Sequence, residues 1–460
     1  MATNQNTYQV FDIKAAEQEG NFYFMHQFDL TLYQKILNVE SQSMVNLISA
    51  GAELREALEY FQRCALPANL VSEVNAHPHK IASSYDYEKI FCRHPELGVD
   101  VDLFQKIRLA GNSFHHSPDF RNSHLPPRTY ETLCNALENM RELLLAYYKK
   151  DYPEVFAANS SKKYNPELQP INGYWIYSNI EAADSTACER QALCCRPDKR
   201  NPELLHYRLL RQYRAADMTE GALRDEKVLR SLWHQGLKKP RNIVRYSIMD
   251  VNYGGEEKEK EEKFLLYYDF GGDLPCSLNS ELTKRLTMEQ KLMILYDIAN
   301  GVNELHQAGI YHRNLQPNSI YIFFDYRSTL VEAKLVGFEY AKIAGDSATV
   351  FKNVQNLHDS PSAYFSATML AVLRQPNASD RVNWASEDIY SLGALFHLLL
   401  TGAPPNRGRI ASDLTTKVCP QVAELVQRML CQHTSKRPQI VDVCHILKPI
   451  YYRIRERSMD

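Results

Sequence analysis

No apolar run in this 460-residue chain is long enough to cross a membrane as a helix. The longest, around residues 389–400, holds about a dozen residues and includes His397, whereas a spanning helix needs roughly 20. It is expected as a buried helix. The segment Met1–Thr7 has neither the basic nor the apolar stretch of a secretory signal, so a cytoplasmic location and no membrane partner are expected. Charge of one sign is missing too: 53 Lys and Arg stand against 55 Asp and Glu. That balance excludes the basic footprint of extensive nucleic-acid binding, though not a small local RNA site. Cysteine is sparse and scattered, ten in the whole chain, which fits reduced thiols and not a disulfide framework. Cys188, Cys194 and Cys195, with His206 nearby, form the one cluster, and their spacing is not a zinc pattern. No metal and no cofactor are expected. Between 172 and 220 the only glycine is Gly173, too few for a loop that cradles phosphates with backbone amides.

The texture of the chain changes along its length. Residues 1–38 are polar with scattered aromatics and are expected as an extended arm. In 39–157, Met44, Leu47, Ile48, Leu54, Leu58 and Phe61 recur at helical spacing. Leu133, Leu137, Met140, Leu144 and Tyr147 repeat the pattern, after Pro126-Pro127 and a capping candidate at Thr129. Residues 158–171 are small, polar and proline-bearing, the best linker candidate. Residues 172–455 mix short β-type runs such as Phe264–Phe270 with long helices from about 286. The charged run Glu256–Lys263, after Gly254-Gly255, is expected as a hairpin loop. The expected fold is therefore multidomain, an all-α bundle followed by an α+β part.

Motifs in the second half are more specific. L-H-Q-A-G-I (305–310) leads into Y-H-R-N-L-Q-P-N-S-I (311–320), then K-L-V-G-F-E-Y-A-K (334–342), E-D-I-Y-S-L-G-A-L-F (387–396), T-G-A-P-P (401–405) and Lys436-Arg437-Pro438. In this order and spacing, residues from about 172 to 455 resemble the protein kinase fold, which implies an α+β domain of two lobes. The resemblance implies a set of missing groups. Kinases place an Asp for the substrate hydroxyl, a Lys for the phosphate and an Asn for magnesium in the loop where this chain has Asn314, Gln316 and Ser319. A second magnesium-binding carboxylate is replaced by Gly337, which has no side chain. Phe338 survives as a packing element, Glu339 replaces a glycine, and Asp388 matches the Asp that braces the loop backbone. The phosphate-pairing lysine falls on Leu210, or on Arg211 with a one-residue slip, and Glu226 matches its usual glutamate partner. A pseudokinase is implied, open to a protein regulator.

One stretch of the first half also carries chemistry: L-F-Q-K-I-R-L-A-G-N-S-F-H-H-S-P (103–118). On a helix, Arg108, Asn112 and His115 fall within an arc of roughly 60°, with His116 at its edge, and Pro118 stops the helix. Histidine serves as acid or base near neutral pH, arginine binds phosphate oxygens in a fork, and asparagine can orient both. That set suits metal-free cleavage of RNA, which alone carries the 2′-OH. The stretch resembles the HEPN superfamily, whose signature is Arg, four to six residues, then His. G-N-S-F-H-H (111–116) is also similar to the KEN ribonuclease motif, which joins a kinase-like domain in the opposite order. Residues 40–156 carry the resemblance, with A-E-L-R-E-A-L-E (52–59) as its first helix. It implies a homodimer with a composite cleft and RNA, transfer RNA included, as substrate. Gly111 has a plainer reading, in which it permits close helix packing.

The leading expectation is a metal-independent endoribonuclease controlled by a catalytically dead kinase-like domain, in stress response or antiviral defence. A non-enzymatic scaffold acting through protein partners is the rival, and a divergent kinase the third alternative.

Overall fold

The computed structural model describes residues 16, 18–74, 82–115, 125–180, 188–198, 200–201, 204–214, 220–234, 240–253, 261–272, 275–278, 280–324, 330–346, 361–374, 382–406, 414 and 418–458. They divide into two units, one of residues 1–179, 192–196 and 249–265, the other of 180–191, 197–248 and 266–460.

The first unit is built on helices α1 (Leu30–Ser43), α2 (Leu47–Ala65), α3 (Ser84–Arg93), α4 (Val101–His115), α5 (Tyr130–Tyr148) and α6 (Pro153–Asn159). Side chains set where they begin. Asp29 accepts from Leu32 N at 2.9 Å, Asn46 from Ser49 N at 3.0 Å and Thr129 from Thr132 N at 3.1 Å, each satisfying an amide that a helix start leaves unpaired. α1 packs on α2, α2 on α4, and α4 on α5. Leu54, Leu58, Phe61, Leu137, Met140 and Leu144 are buried between them, whereas Ile48 points outward. At Gly51 the backbone of α2 comes so close to α4 that a Cβ there would sit 2.2 Å from Phe114 Cβ.

Two expectations are corrected in this unit. The segment read as an extended arm becomes helical at Leu30, because Leu32, Ile36 and Val39 make a buried stripe that Asp29 caps. Ahead of it, Phe22 and Met25 are buried as well. The segment read as a linker is held down. Arg141, itself buried, donates Nη2 to Asn159 O at 3.0 Å, Nη1 to Lys162 O at 2.5 Å and Nε to Asn21 O at 3.0 Å. Asn21 in turn donates to Glu40 at 2.8 Å and to Asn165 O at 2.9 Å.

Strands β1 (Trp175–Ile180), β2 (Cys188–Pro197), β3 (Leu205–Arg214), β4 (Arg245–Tyr253) and β5 (Glu261–Gly271) form a sheet in the order β1-β2-β3-β5-β4. Because β5 begins at Glu261, the end of the charged run is strand and not loop; residues 256–260 lie outside the described residues. The second unit holds α7 (Glu220–His234) and another sheet, in which β8 (Ile320–Phe324) pairs antiparallel with both β6 (Pro275–Ser277) and β9 (Val331–Leu335). After α8 (Ser280–Arg285) comes α9 (Met288–Gln307), started by a reciprocal Thr287–Gln290 cap. The short strands β7 (Ile310–Tyr311) and β10 (Lys342–Ile343) pair with each other. Then follow α10 (Ala367–Arg374), α11 (Trp384–Thr401), α12 (Pro420–Met429) and α13 (Ile440–Arg457). Every residue from Ser386 to Leu400 is buried, His397 among them, so α11 is the central helix of its unit. Arg437 fastens it, donating to Glu387 at 3.0 Å and to Ser386 O at 2.8 Å. Among the described residues, no helix is long and apolar enough to cross a membrane.

Candidate functional site

The loop between β7 and β8 is shaped from below by Asp388 on α11. Its buried carboxylate accepts from His312 N at 2.8 Å and from Arg313 N at 2.7 Å, and it pairs with His306 Nε2 at 2.9 Å. Arg313 adopts φ of 63°, a left-handed conformation that costs a non-glycine residue energy, with its guanidinium stacked 4.3 Å from the Trp384 ring. Burial holds the His312 imidazole below its usual pKa, against the pull of Asp388.

The three positions where a kinase would carry its chemistry are buried and bonded to one another. Gln316 Nε2 donates to Asn314 Oδ1 at 2.9 Å. Ser319 Oγ accepts from Gln316 N at 3.1 Å and donates to Gln316 O at 2.7 Å. No carboxylate is among them, so none of the three can take a proton from a hydroxyl.

Above this loop, Arg211 of β3 is buried and its Nη1 lies 3.4 Å from Asp225 Oδ2 of α7. The same nitrogen pairs with Glu339. Tyr268 OH donates to Asp225 Oδ2 at 2.6 Å and accepts from Gly337 N at 3.1 Å, while Phe338 N donates to Asp225 Oδ1 at 3.2 Å. Gly337 has φ of 84°, and a Cβ on it would lie 3.5 Å from Arg211 Nη2. Burial, reinforced by Glu339, pushes the Asp225 carboxyl up to about 7 despite Arg211. One cation thus serves two carboxylates, and a phosphate group here would face both.

The sequence left Leu210 and Arg211 open as the lysine position. The structure makes Arg211 the charged member of the cluster, while Leu210 is fully buried in the apolar core. The helix carboxylate in the cluster is Asp225; Glu226, one residue on, pairs with Arg230 on its own helix. Asp225 and Tyr268 escaped the sequence reading. The adjacent acids in L-R-D-E-K were the only signal for the first, and nothing marked the second.

In the first unit, Arg108 and Asn112 lie on α4 and His115 is its last residue; His116 lies outside the described residues. Arg108 Nε donates to Glu88 Oε2 of α3 at 2.7 Å, with the two side chains only 13% and 9% exposed. Gln105 Nε2 reaches the other Glu88 oxygen at 3.3 Å, and the guanidinium lies 5.4 Å from the Tyr85 ring. Asn112 is half-buried and His115 exposed. A second arginine, Arg128, which the sequence did not single out, donates Nε to Ser113 O at 2.5 Å near the end of α4. A Cβ at Gly111 would make only an ordinary 3.5 Å contact with Arg55 Cβ, so the glycine of close helix packing is Gly51.

Cys194 and Cys195 are buried, and burial pushes the Cys195 thiol up to about 12. The side chain of Cys188 is outside the described set. Among the described residues, no group of three His, Cys, Asp or Glu side chains could hold a metal ion.

Comparison with known proteins agrees with the second half. Residues 232–447 match the protein kinase domain family. Mitogen-activated protein kinase p38b of Drosophila melanogaster is 22% identical over 200 residues, 42% of this chain and 46% of that protein. The epsilon subunit of the mouse inhibitor of nuclear factor kappa-B kinase is 28% identical over 190 residues, 40% of this chain and 24% of its own. A probable inactive serine/threonine-protein kinase of Dictyostelium discoideum is 28% identical over 122 residues, 24% of this chain and 13% of its own. The chain thus spans less than half the length of each of these relatives. It carries a protein kinase domain in its carboxy-terminal part, behind a helical amino-terminal region.

Proposed function

We propose that the protein is a regulatory binding protein whose kinase-like domain does not transfer phosphate. The observation that carries this is the Arg211 ion cluster, which puts Asp225 and Glu339 where a phosphate would otherwise meet a lysine. Phosphate oxygens are repelled by carboxylates in a buried site and would have to displace a salt bridge to enter. Asn314, Gln316 and Ser319, bonded among themselves, supply neither a base nor a carboxylate for a metal ion. Similarity to a probable inactive kinase points the same way. The test is transfer from γ-labelled ATP with magnesium and with manganese, to the chain itself and to a generic substrate protein. No transfer by the wild type, and none by an Asn314→Ala variant, is the expected result. Transfer that Asn314→Ala abolishes would overturn the reading.

In this reading the helical region is the effector, and the kinase-like domain controls it through a protein partner or through dimerisation. A second reading makes the effector a metal-independent endoribonuclease acting on RNA in the cytoplasm. What favours it is the placement of Asn112 and His115 on the last turn of α4, with Arg128 bound at the same helix end. Incubation with transfer RNA and total RNA in EDTA tests it, beside a His115→Ala/His116→Ala variant. Ends carrying 2′,3′-cyclic phosphate, absent with the variant, would make the protein a nuclease; intact RNA would leave the binding role.

A further inference from the structure

A cavity of about 490 Å³ in the second unit takes no part in the Arg211 cluster. His206, Trp233, Arg241, Arg245, Asp269 and Lys334 supply its polar lining. We infer that it binds a phosphate monoester.

The backbone brings the cations together. Leu335 N donates to Asn242 O at 2.9 Å and Val244 N to Leu335 O at 3.3 Å, which lays 241–245 along β9 and sets Arg241 and Arg245 beside Lys334. Both arginines are exposed and Lys334 is half-buried. Trp233 is fixed by a 3.2 Å bond from its indole Nε1 to Val244 O, and the Arg245 guanidinium lies 5.9 Å from its ring.

The carboxylates nearby have partners of their own: Glu304 accepts from Arg241 N at 3.0 Å and from Asn242 N at 3.3 Å, and Asp297 from Ala333 N at 3.0 Å. Asp269 accepts from Arg208 at 3.2 Å and from Gly271 N at 3.1 Å. Glu332 lies 3.8 Å from Lys334, and Asp198 is bonded to His206 at 2.7 Å. Arg241 spends one donor on Tyr451 OH at 3.0 Å. Among the described residues, neither the Arg241 nor the Arg245 guanidinium is paired with a carboxylate, and two guanidinium forks suit the oxygens of a dianion better than a carboxylate. The cavity exceeds a bare phosphate, so it also takes part of the group bearing it, against the flat face of Trp233.

Such a group comes either from a phosphorylated side chain or from a small phosphorylated metabolite. Isothermal titration of the full chain with a phosphoserine tripeptide and with ribose 5-phosphate separates the two. Saturable binding is expected for at least one, weakened ~10-fold in Arg245→Gln and in Lys334→Gln, as loss of one charge-assisted contact implies. Tighter binding of the peptide assigns a protein partner, and tighter binding of the sugar phosphate a metabolite. Both variants replace solvent-reached side chains, and an unchanged melting temperature confirms that they fold. No binding of either probe at millimolar concentration, or equal affinity in folded variants, overturns the inference.

Discussion

Arg211 on β3 is paired with Glu339, 128 residues further along the chain. The partner stands where a kinase keeps a glycine, and the third member, Asp225, also holds Phe338 N and the Tyr268 hydroxyl. Charge that could have met a phosphate is consumed inside the fold. Replacing it with an apolar residue leaves two buried carboxylates without a cation. Removal of one partner from such a site costs about 3–5 kcal/mol. Arg211→Met is expected to lose that much in urea unfolding. The triple change Arg211→Met/Asp225→Asn/Glu339→Gln is expected to recover more than half of it. Equal stability of Arg211→Met and wild type would mean that the cluster is not formed in solution.

Buried carboxyls also fix how stability varies with pH. Burial raises Glu40 to about 8, against the opposing bonds from Asn21 and Tyr164, and raises Asp297 to about 7, against the bond from Ala333 N. Asp225 moves the same way. The folded chain holds these protons after the unfolded chain has released its own near pH 4, so folding is favoured most below that value. The contribution is lost as the pH rises through about 7 and 8. The urea midpoint at about pH 9 should therefore lie below that at about pH 6. Glu40→Gln, which needs no proton to stay neutral, should flatten the change. A midpoint that rises toward alkaline pH would contradict these assignments.

Two glycines on neighbouring helices make opposite predictions. A methyl group at Gly51 would overlap Phe114, whose clashing Cβ cannot rotate away. Gly51→Ala is expected to cost about 1–3 kcal/mol, the range for overpacking. At Gly111 the added carbon meets Arg55 at an ordinary distance, and alanine is the better helix former by about 1 kcal/mol. Gly111→Ala is thus expected to raise the thermal midpoint. Opposite shifts in a melting experiment check both at once.

What the sequence disclosed follows from how each feature is encoded. Asp388, Phe338 and Arg437 were legible because backbone bracing and core packing demand one residue type at one place in an ordered string. Arg211 against Leu210, and Asp225 against Glu226, were not separable, since a one-residue shift on a strand or helix turns a side chain away and no pattern fixes that register. The pinning of 158–171 by Arg141 was hidden because its acceptors, Asn159 O and Lys162 O, are backbone atoms. Helix α1 was missed for a different reason. Its stripe of Leu32, Ile36 and Val39 is diluted by Gln34, Lys35 and Glu40, so the segment reads as polar.

Glu88 was equally invisible, twenty residues before Arg108 and on another helix. Its presence changes what an Arg108 substitution should do. An arginine kept only for RNA chemistry would leave stability untouched when replaced. An arginine in a nearly buried pair leaves Glu88 uncompensated, which costs about 3 kcal/mol, the low end for such pairs because some water reaches both side chains. Arg108→Ala is expected to lose that stability, and Glu88→Gln/Arg108→Met to regain most of it, as apolar or neutral replacements of buried pairs do. His115→Ala, at the exposed helix end, should stay within about 0.5 kcal/mol of wild type. If instead Arg108→Ala melts like the wild type, the pair is not structural and Arg108 is available to a substrate.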